Sequence, residues 1–313
     1  MNPALQGYSA AIAEAAGSGA LAGTAADVEA IDQLVMANPQ LRSALSDTTV
    51  AGTARRAVML DLLEGKVSAE ARRVAAYACG AVHAQQVTSA LSWLAMRMRH
   101  LAEGQDDEPA LSLMASRQRV AGYATAVHED MSNQELESLE DDLFRFARIV
   151  AATPLLRSAL TDRDLELDAR QGLVSQLLED KVPAATLRLV RYVVAGGRAR
   201  DVVGTLDFLV EDTARARGWR IARVTAAAPI DDTQRNALSE SLGTLAGAPV
   251  ELQVEVDESL LSGARIRIGD LQVDATTRGR LEALREHLTP AGWEPSGFGR
   301  RAHSSTDNTE GAN

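Results

Sequence analysis

The pentapeptide LRSAL occurs twice, as Leu41–Leu45 and as Leu156–Leu160. Shifted by that interval of 115 residues, the chain matches itself without a gap. Pro39 falls on Pro154, Asp47 on Asp162, Arg55 on Arg170, Arg73 on Arg188, Tyr77 on Tyr192 and Leu91 on Leu206. LLEGKV (Leu62–Val67) falls on LLEDKV (Leu177–Val182), Trp93 falls on Phe208, and Tyr8 in GYSAAI meets Tyr123 in GYATAV. Register held over such a span marks an internal duplication. The first two-thirds of the chain must therefore be two copies of one fold.

Each copy reads as helices. In the second, Ser132 with Glu135 forms a capping box, and Leu136, Leu139, Leu143, Phe146, Ile149 and Val150 follow at spacings of three and four. Pro154 closes that run. A second amphipathic stretch carries Leu173, Leu177 and Leu178, and Pro183 opens a third, where the first copy has Ser68 as a cap. That helix stops at Gly196-Gly197, and another runs from about Arg200 to Arg217. Apolar residues make up 46% of the chain and aromatics only 4%, so the core is mostly Ala, Leu and Val, which suits closely packed helices.

The pattern changes after Gly218. Ile221 and Val224 mark a strand, Asp231 with Gln234 makes a second capping box, and Leu238, Leu242 and Leu245 form a helical stripe. Val250, Leu252, Val254 and Val256 share one strand face. Ile266 and Ile268 alternate with Arg265 and Arg267, Gly269-Asp270 suits a tight hairpin, and Asp274 or Thr276 caps a closing helix. The expected fold is mainly α: two tandem helical bundles and a small β-α-β-β-β-α domain. The expected boundaries are 1–102 for the first bundle, 103–116 for an acidic linker, 117–217 for the second bundle, 218–289 for the α/β domain and 290–313 for a disordered tail.

Composition excludes several functions. A net charge of −11 argues against a general binder of nucleic acid or anionic membrane. The single cysteine, Cys79, allows no disulfide within the chain and no Cys-based zinc site, as fits a reducing cytoplasm, and it reads as a small buried filler. The five histidines lack metal-ligand spacing, so no metal or cofactor is expected. The first residues lack the pattern of a secretory or transit signal, and no apolar run is long enough to span a membrane. Gly17, Gly19 and Gly23 have neither a preceding strand nor a following Lys-Ser/Thr, and read as a turn, not a phosphate loop.

The stretch VDESLLSGARIRIGDLQVDATTRGRLEAL resembles the C-terminal signature of the delta subunit of bacterial F-type ATP synthase, the family of the oligomycin-sensitivity-conferring protein. Asp257, Ser259, Leu260, Leu261, Gly263, Ile266, Arg267, Ile268, Gly269, Asp270, Asp274, Arg280 and Leu281 fit that pattern, whereas Ser262 and Ala275 stand where Gly is usual. YATAV, LRSAL, the Leu-Leu-Glu-x-Lys run and AGGR (Ala195–Arg198) look like landmarks of its helical domain. The resemblance covers residues 123–288, and the first 115 residues repeat its helical part.

The resemblance implies a non-catalytic peripheral-stalk subunit, without cofactor or metal, at the cytoplasmic face of the bacterial cell membrane. It would link the catalytic head to the b stalk so that the head resists rotor torque during proton-driven ATP synthesis. It further implies that the first and fifth helices of a bundle grip an N-terminal helix of an alpha subunit. Carried over, those positions are Tyr123, Ala126, Val127, Leu189, Val190 and Val193 in the second copy, and Tyr8, Ala11, Ile12, Val74, Ala75 and Ala78 in the first. The b stalk would meet Leu260, Leu261, Gly263, Ile266, Ile268, Leu281 and Leu284. Apolar spacing alone equally describes bundle core at these positions. The competing readings are a helical DNA-binding or regulatory protein, opposed by the acidic balance, and an α/β enzyme, for which no nucleophile–base pair is in sight.

Overall fold

A computed structural model describes residues 2–105, 112–162, 164–195, 201–257, 260, 262–268 and 271–274. These fall into two compact units, one comprising Met1–Arg220 with Gly247–Pro249, the other Ile221–Ala246 with the chain from Val250 onward. The expected closing helix, the Gly269-Asp270 turn and the C-terminal tail lie outside the described residues.

The duplication is visible helix by helix. The first repeat contains α1 (Pro3–Ala37), α2 (Pro39–Ser46), α3 (Gly52–Leu62), α4 (Ala69–Ala81), a single 3-10 turn (Ala84–Gln86) and α5 (Val87–Ala102). The second contains α6 (Leu113–His128), α7 (Asn133–Ala152), α8 (Pro154–Thr161), α9 (Leu167–Leu178), α10 (Ala184–Ala195) and α11 (Val202–Ala216). Helices α2 and α8 correspond residue for residue at the 115-residue shift. The others agree to within a residue or two wherever both copies have a separate helix.

Local chemistry explains these limits. Asn38 Oδ1 accepts from the amides of Gln40 and Leu41 while Pro39 opens α2, where a missing N–H costs nothing. Ser68 caps α4. Ser132 and Glu135 form the reciprocal capping box expected of them, at the start of α7. The copies differ at one break. GSGALAGT is not a turn: Gly19 and Gly23 are helical, and only Gly17, at φ 65° and ψ 166°, interrupts α1. The same position in the second repeat is Ser132, which breaks the chain by capping. Glycine reaches positive φ without a Cβ clash, so two different residues make one bend.

Each repeat buries an aliphatic core. Val28, Ile31, Leu91, Leu94 and Met98 are almost wholly buried in the first, and Leu139, Leu143, Phe146, Leu206 and Leu209 in the second. Burial of each large side chain stabilises by about 2 kcal/mol. The small residues Ala71, Ala75 and Ala78 are fully buried on α4, which lets neighbouring helices approach closely. No described helix is long and apolar enough to cross a membrane.

The second unit is a sheet with a helix. Strands β1 (Arg220–Ala226), β2 (Val250–Val256), β3 (Ala264–Ile268) and β4 (Leu271–Asp274) line up in the order β2-β1-β3-β4, and α12 (Asp232–Ala246) separates β1 from β2 in sequence. β3 is antiparallel to both neighbours, with Val224 opposite Ile266 and Ile268 opposite Leu271. Asp231 and Gln234 cap α12 reciprocally. Alternation places Ala222, Val224, Ala226, Val250, Leu252, Ile266 and Ile268 in one core with Leu242. The β2 stripe fades along the strand, leaving Val256 48% exposed.

Candidate partner-binding faces of the two repeats

The faces expected to hold alpha-subunit helices lie on α1 with α4 and on α6 with α10. All twelve of their residues are buried: Tyr8, Ala11, Ile12, Val74, Ala75 and Ala78, and Tyr123, Ala126, Val127, Leu189, Val190 and Val193. Part of the cover comes from within each repeat. Tyr8 stacks on Tyr77 of α4 with ring centroids 3.9 Å apart, and Tyr123 stacks on Tyr192 of α10 at 4.0 Å. These two stacks are one contact, duplicated. Arg119 adds a cation over the Tyr192 ring at 5.5 Å.

α4 and α10 are covered mainly by helices of their own repeats, α3 and α9 among them, whereas α1 and α6 also pack against each other across the two repeats. They do so backbone to backbone. A Cβ placed on Gly7 would lie 1.7 Å from the Arg119 carbonyl oxygen, and one on Gly122 would lie 1.9 Å from that of Ala4. Gly7 and Gly122 are equivalent residues of the duplication, and so are Ala4 and Arg119. The crossing is therefore reciprocal, in the manner of a two-fold dimer interface.

Polar contacts repeat the symmetry. The Tyr8 hydroxyl donates to Glu129 Oε2 at 2.6 Å, and the Tyr123 hydroxyl donates to Glu14 Oε2 at 2.5 Å. Glu14 and Glu129 are again equivalent. Burial, reinforced by Glu129, raises the Tyr8 phenol well above its usual value, and burial with the Glu14 hydrogen bond does the same for Tyr123. Both hydroxyls consequently remain donors.

Around Glu129 the symmetry is elaborated. Arg73 of α4 donates to Glu129 Oε2 at 3.1 Å, to Asp130 Oδ2 at 2.8 Å and to the Ala126 carbonyl at 2.7 Å. Arg56 makes a further ion pair with Glu129. Burial opposes the Arg73 charge, but the hydrogen bond to Asp130 and the neighbouring Tyr8 hold its pKa above the ordinary range. Close by, burial pushes His128 down to about 4, with Thr213 Oγ1 3.2 Å from its Nε2.

Sequence reasoning found the apolar residues of these faces and missed Gly7, Gly122, Glu14, Glu129 and the partners of Arg73. The signal existed, since each glycine and each glutamate recurs in its sister copy. Only the crossing geometry gives those recurrences a meaning.

The residues expected to meet the b stalk are arranged differently. Ile266 and Ile268 point into the core of their own unit. Leu260 is partly buried, and Gly263 is exposed at φ 85°, its carbonyl accepting from the Ala227 amide at 3.1 Å. Leu261, Leu281 and Leu284 lie outside the described residues.

The sequence matches the family model of the ATP synthase delta (OSCP) subunit in two stretches, residues 5–92 and 120–288. An ATP synthase subunit delta of Corynebacterium urealyticum is 32% identical over 277 residues, 88% of this chain and 90% of that protein. One of Rhodococcus opacus is 30% identical over 285 residues, 91% of this chain and 94% of that protein. One of Streptomyces avermitilis is 40% identical over 153 residues, 49% of this chain and 56% of that protein.

Proposed function

Because this chain belongs to the ATP synthase delta (OSCP) subunit family, and is thus a non-catalytic stator component of the ATP synthase, we propose that it couples alpha subunits of the head to the b stalk. The observation that supports this most directly is the order of the parts. The family match runs through a helical repeat, its copy and then the α/β unit. The helical unit would take amino-terminal helices of alpha subunits by helix-in-groove packing on the faces of α1 with α4 and α6 with α10. The α/β unit would hold the carboxyl-terminal end of b. The turn at Leu260 and Gly263 would offer contacts there, and Ile266 and Ile268 would hold β3 in place behind it. The chain would then sit at the periphery of the membrane, on its cytoplasmic face, held there by its partners.

Such a coupler does no bond chemistry. It carries load by non-covalent grips, so that the head does not turn with the rotor. Affinity purification of the full chain from its native membranes should recover alpha and b subunits, and the purified chain alone should not hydrolyse ATP. Gly263→Val should weaken capture of b, because a β-branched residue is strained at φ 85°. Recovery of alpha with undiminished b by that variant would refute the turn as the stalk contact.

A further inference from the structure

We infer that the two repeats are each other's ligand: each one's first-helix face is held shut by its sister, and a partner helix enters only by displacing it. This rests on the alpha-binding reading above and adds a gate to it. The geometry leaves no alternative route between α1 and α6. With a carbonyl oxygen 1.7 Å from where a Gly7 Cβ would stand, not even a methyl group fits at the crossing, still less a helix about 10 Å wide. The seam is also anchored on both sides, by Tyr8 on Glu129 and by Tyr123 on Glu14, with Arg73 forked over the end of α6.

A cavity of about 730 Å³ opens at the amino end of α1, lined by residues including Pro3, Leu5, Val82 and Trp93, with Gln118 of α6 at its edge. In the second repeat, Arg117, the equivalent of Asn2, pairs with Asp201 at 2.7 Å. The cavity beside α1 gives a partner's first turn room to begin prying the seam apart.

Two consequences follow for binding. A site open only a fraction of the time binds with an apparent affinity reduced by that fraction. Linkage is mutual, so a bound helix would hold the repeats apart as surely as their closure opposes the helix.

The test uses the full chain carrying Gly7→Ala with Gly122→Ala. Alanine favours helix over glycine, so each repeat keeps its helices while the seam is wedged open. Hydrogen exchange is read over residues 3–16 and 113–128, and affinity is measured for a synthetic peptide of the alpha subunit's amino-terminal helix from the same organism. The expected result is lost protection in both segments and peptide binding tighter by about tenfold or more. If the double variant does not fold, Glu129→Arg, which faces Arg56 and Arg73, replaces it. Unchanged protection would overturn the closure. Equal peptide affinity with the seam open would overturn the gate. No binding of the peptide to either form would instead overturn the alpha-binding reading, and with it the partner half of this inference, while exchange still decides whether the repeats close.

Discussion

Tyr8 and Glu129 stand 121 residues apart in sequence, yet the tyrosine hydroxyl donates to the carboxylate at 2.6 Å. That bond joins the first helix of one repeat to the end of the first helix of the other. Its mirror, Tyr123 to Glu14, shows that the join is a property of the duplicated unit and not of one accidental contact.

The two mirrored carboxylates are not equal in weight. Glu129 accepts from Tyr8 and also pairs with Arg56 and Arg73, whereas Glu14 accepts from Tyr123. Glu129→Ala should cost about 2 kcal/mol, because it strips a charge-assisted partner from groups that stay largely buried. Glu14→Ala should cost less, about 1 kcal/mol, since it removes the tyrosine bond without the arginine pairs that Glu129 also holds. Urea denaturation of the two variants measures the difference, and equal losses would deny the asymmetry.

Arg55 and Arg170 allow a similar comparison. Arg55, 6% exposed, donates to the carbonyls of Cys79 at 3.1 Å, Val82 at 3.1 Å and Val50 at 2.5 Å, and so closes the carboxyl end of α4. Arg170 reaches the Val194 carbonyl at 3.5 Å. Arg55→Ala should destabilise by about 3 kcal/mol, because it orphans buried carbonyls at the end of α4, and Arg170→Ala should cost less because Arg170 is only partly buried. Thermal melts of the single variants decide it.

His128 makes stability depend on pH. Burial lowers its pKa from 6.5 to about 4 in the folded chain. Between those values the unfolded chain binds the extra proton, so stability is fully present above about pH 6.5 and is lost as pH falls toward 4, by up to about 3 kcal/mol. Asp212, raised by burial against the pull of Arg215, acts in the opposite sense, losing its contribution as pH rises. Comparing wild type with His128→Gln between pH 4.5 and 7 isolates the histidine. The slope that vanishes in the variant is its share, and identical slopes would refute the assignment.

Cys79 should be inert. It is wholly buried on α4, and burial pushes its thiol up to about 12 against the lowering influence of Arg55. The thiolate is the reactive form, so a thiol reagent at pH 8 should label the folded chain only at the rate of its opening, and promptly in denaturant. Fast labelling of the native protein would show that α4 is not closed as described.

The amino-acid sequence by itself determined the duplication, the helices with most of their caps, and the mixed sheet, because each depends on neighbours a few residues apart. Asn38, Ser68 and Ser132 cap helices through bonds to amides two or three residues away, and the alternation of Ile266 with Arg267 is a local property of a strand. What covers an apolar face is not local. Tyr8, Ala11 and Val74 have the same spacing whether they meet their own bundle, a visiting helix or the sister repeat. The choice rested on two backbones meeting at Gly7 and Gly122, where the absence of a side chain in each copy lets carbonyl oxygens come close enough to exclude everything else. That coincidence exists only once the chain has folded and brought residues more than a hundred positions apart onto one axis.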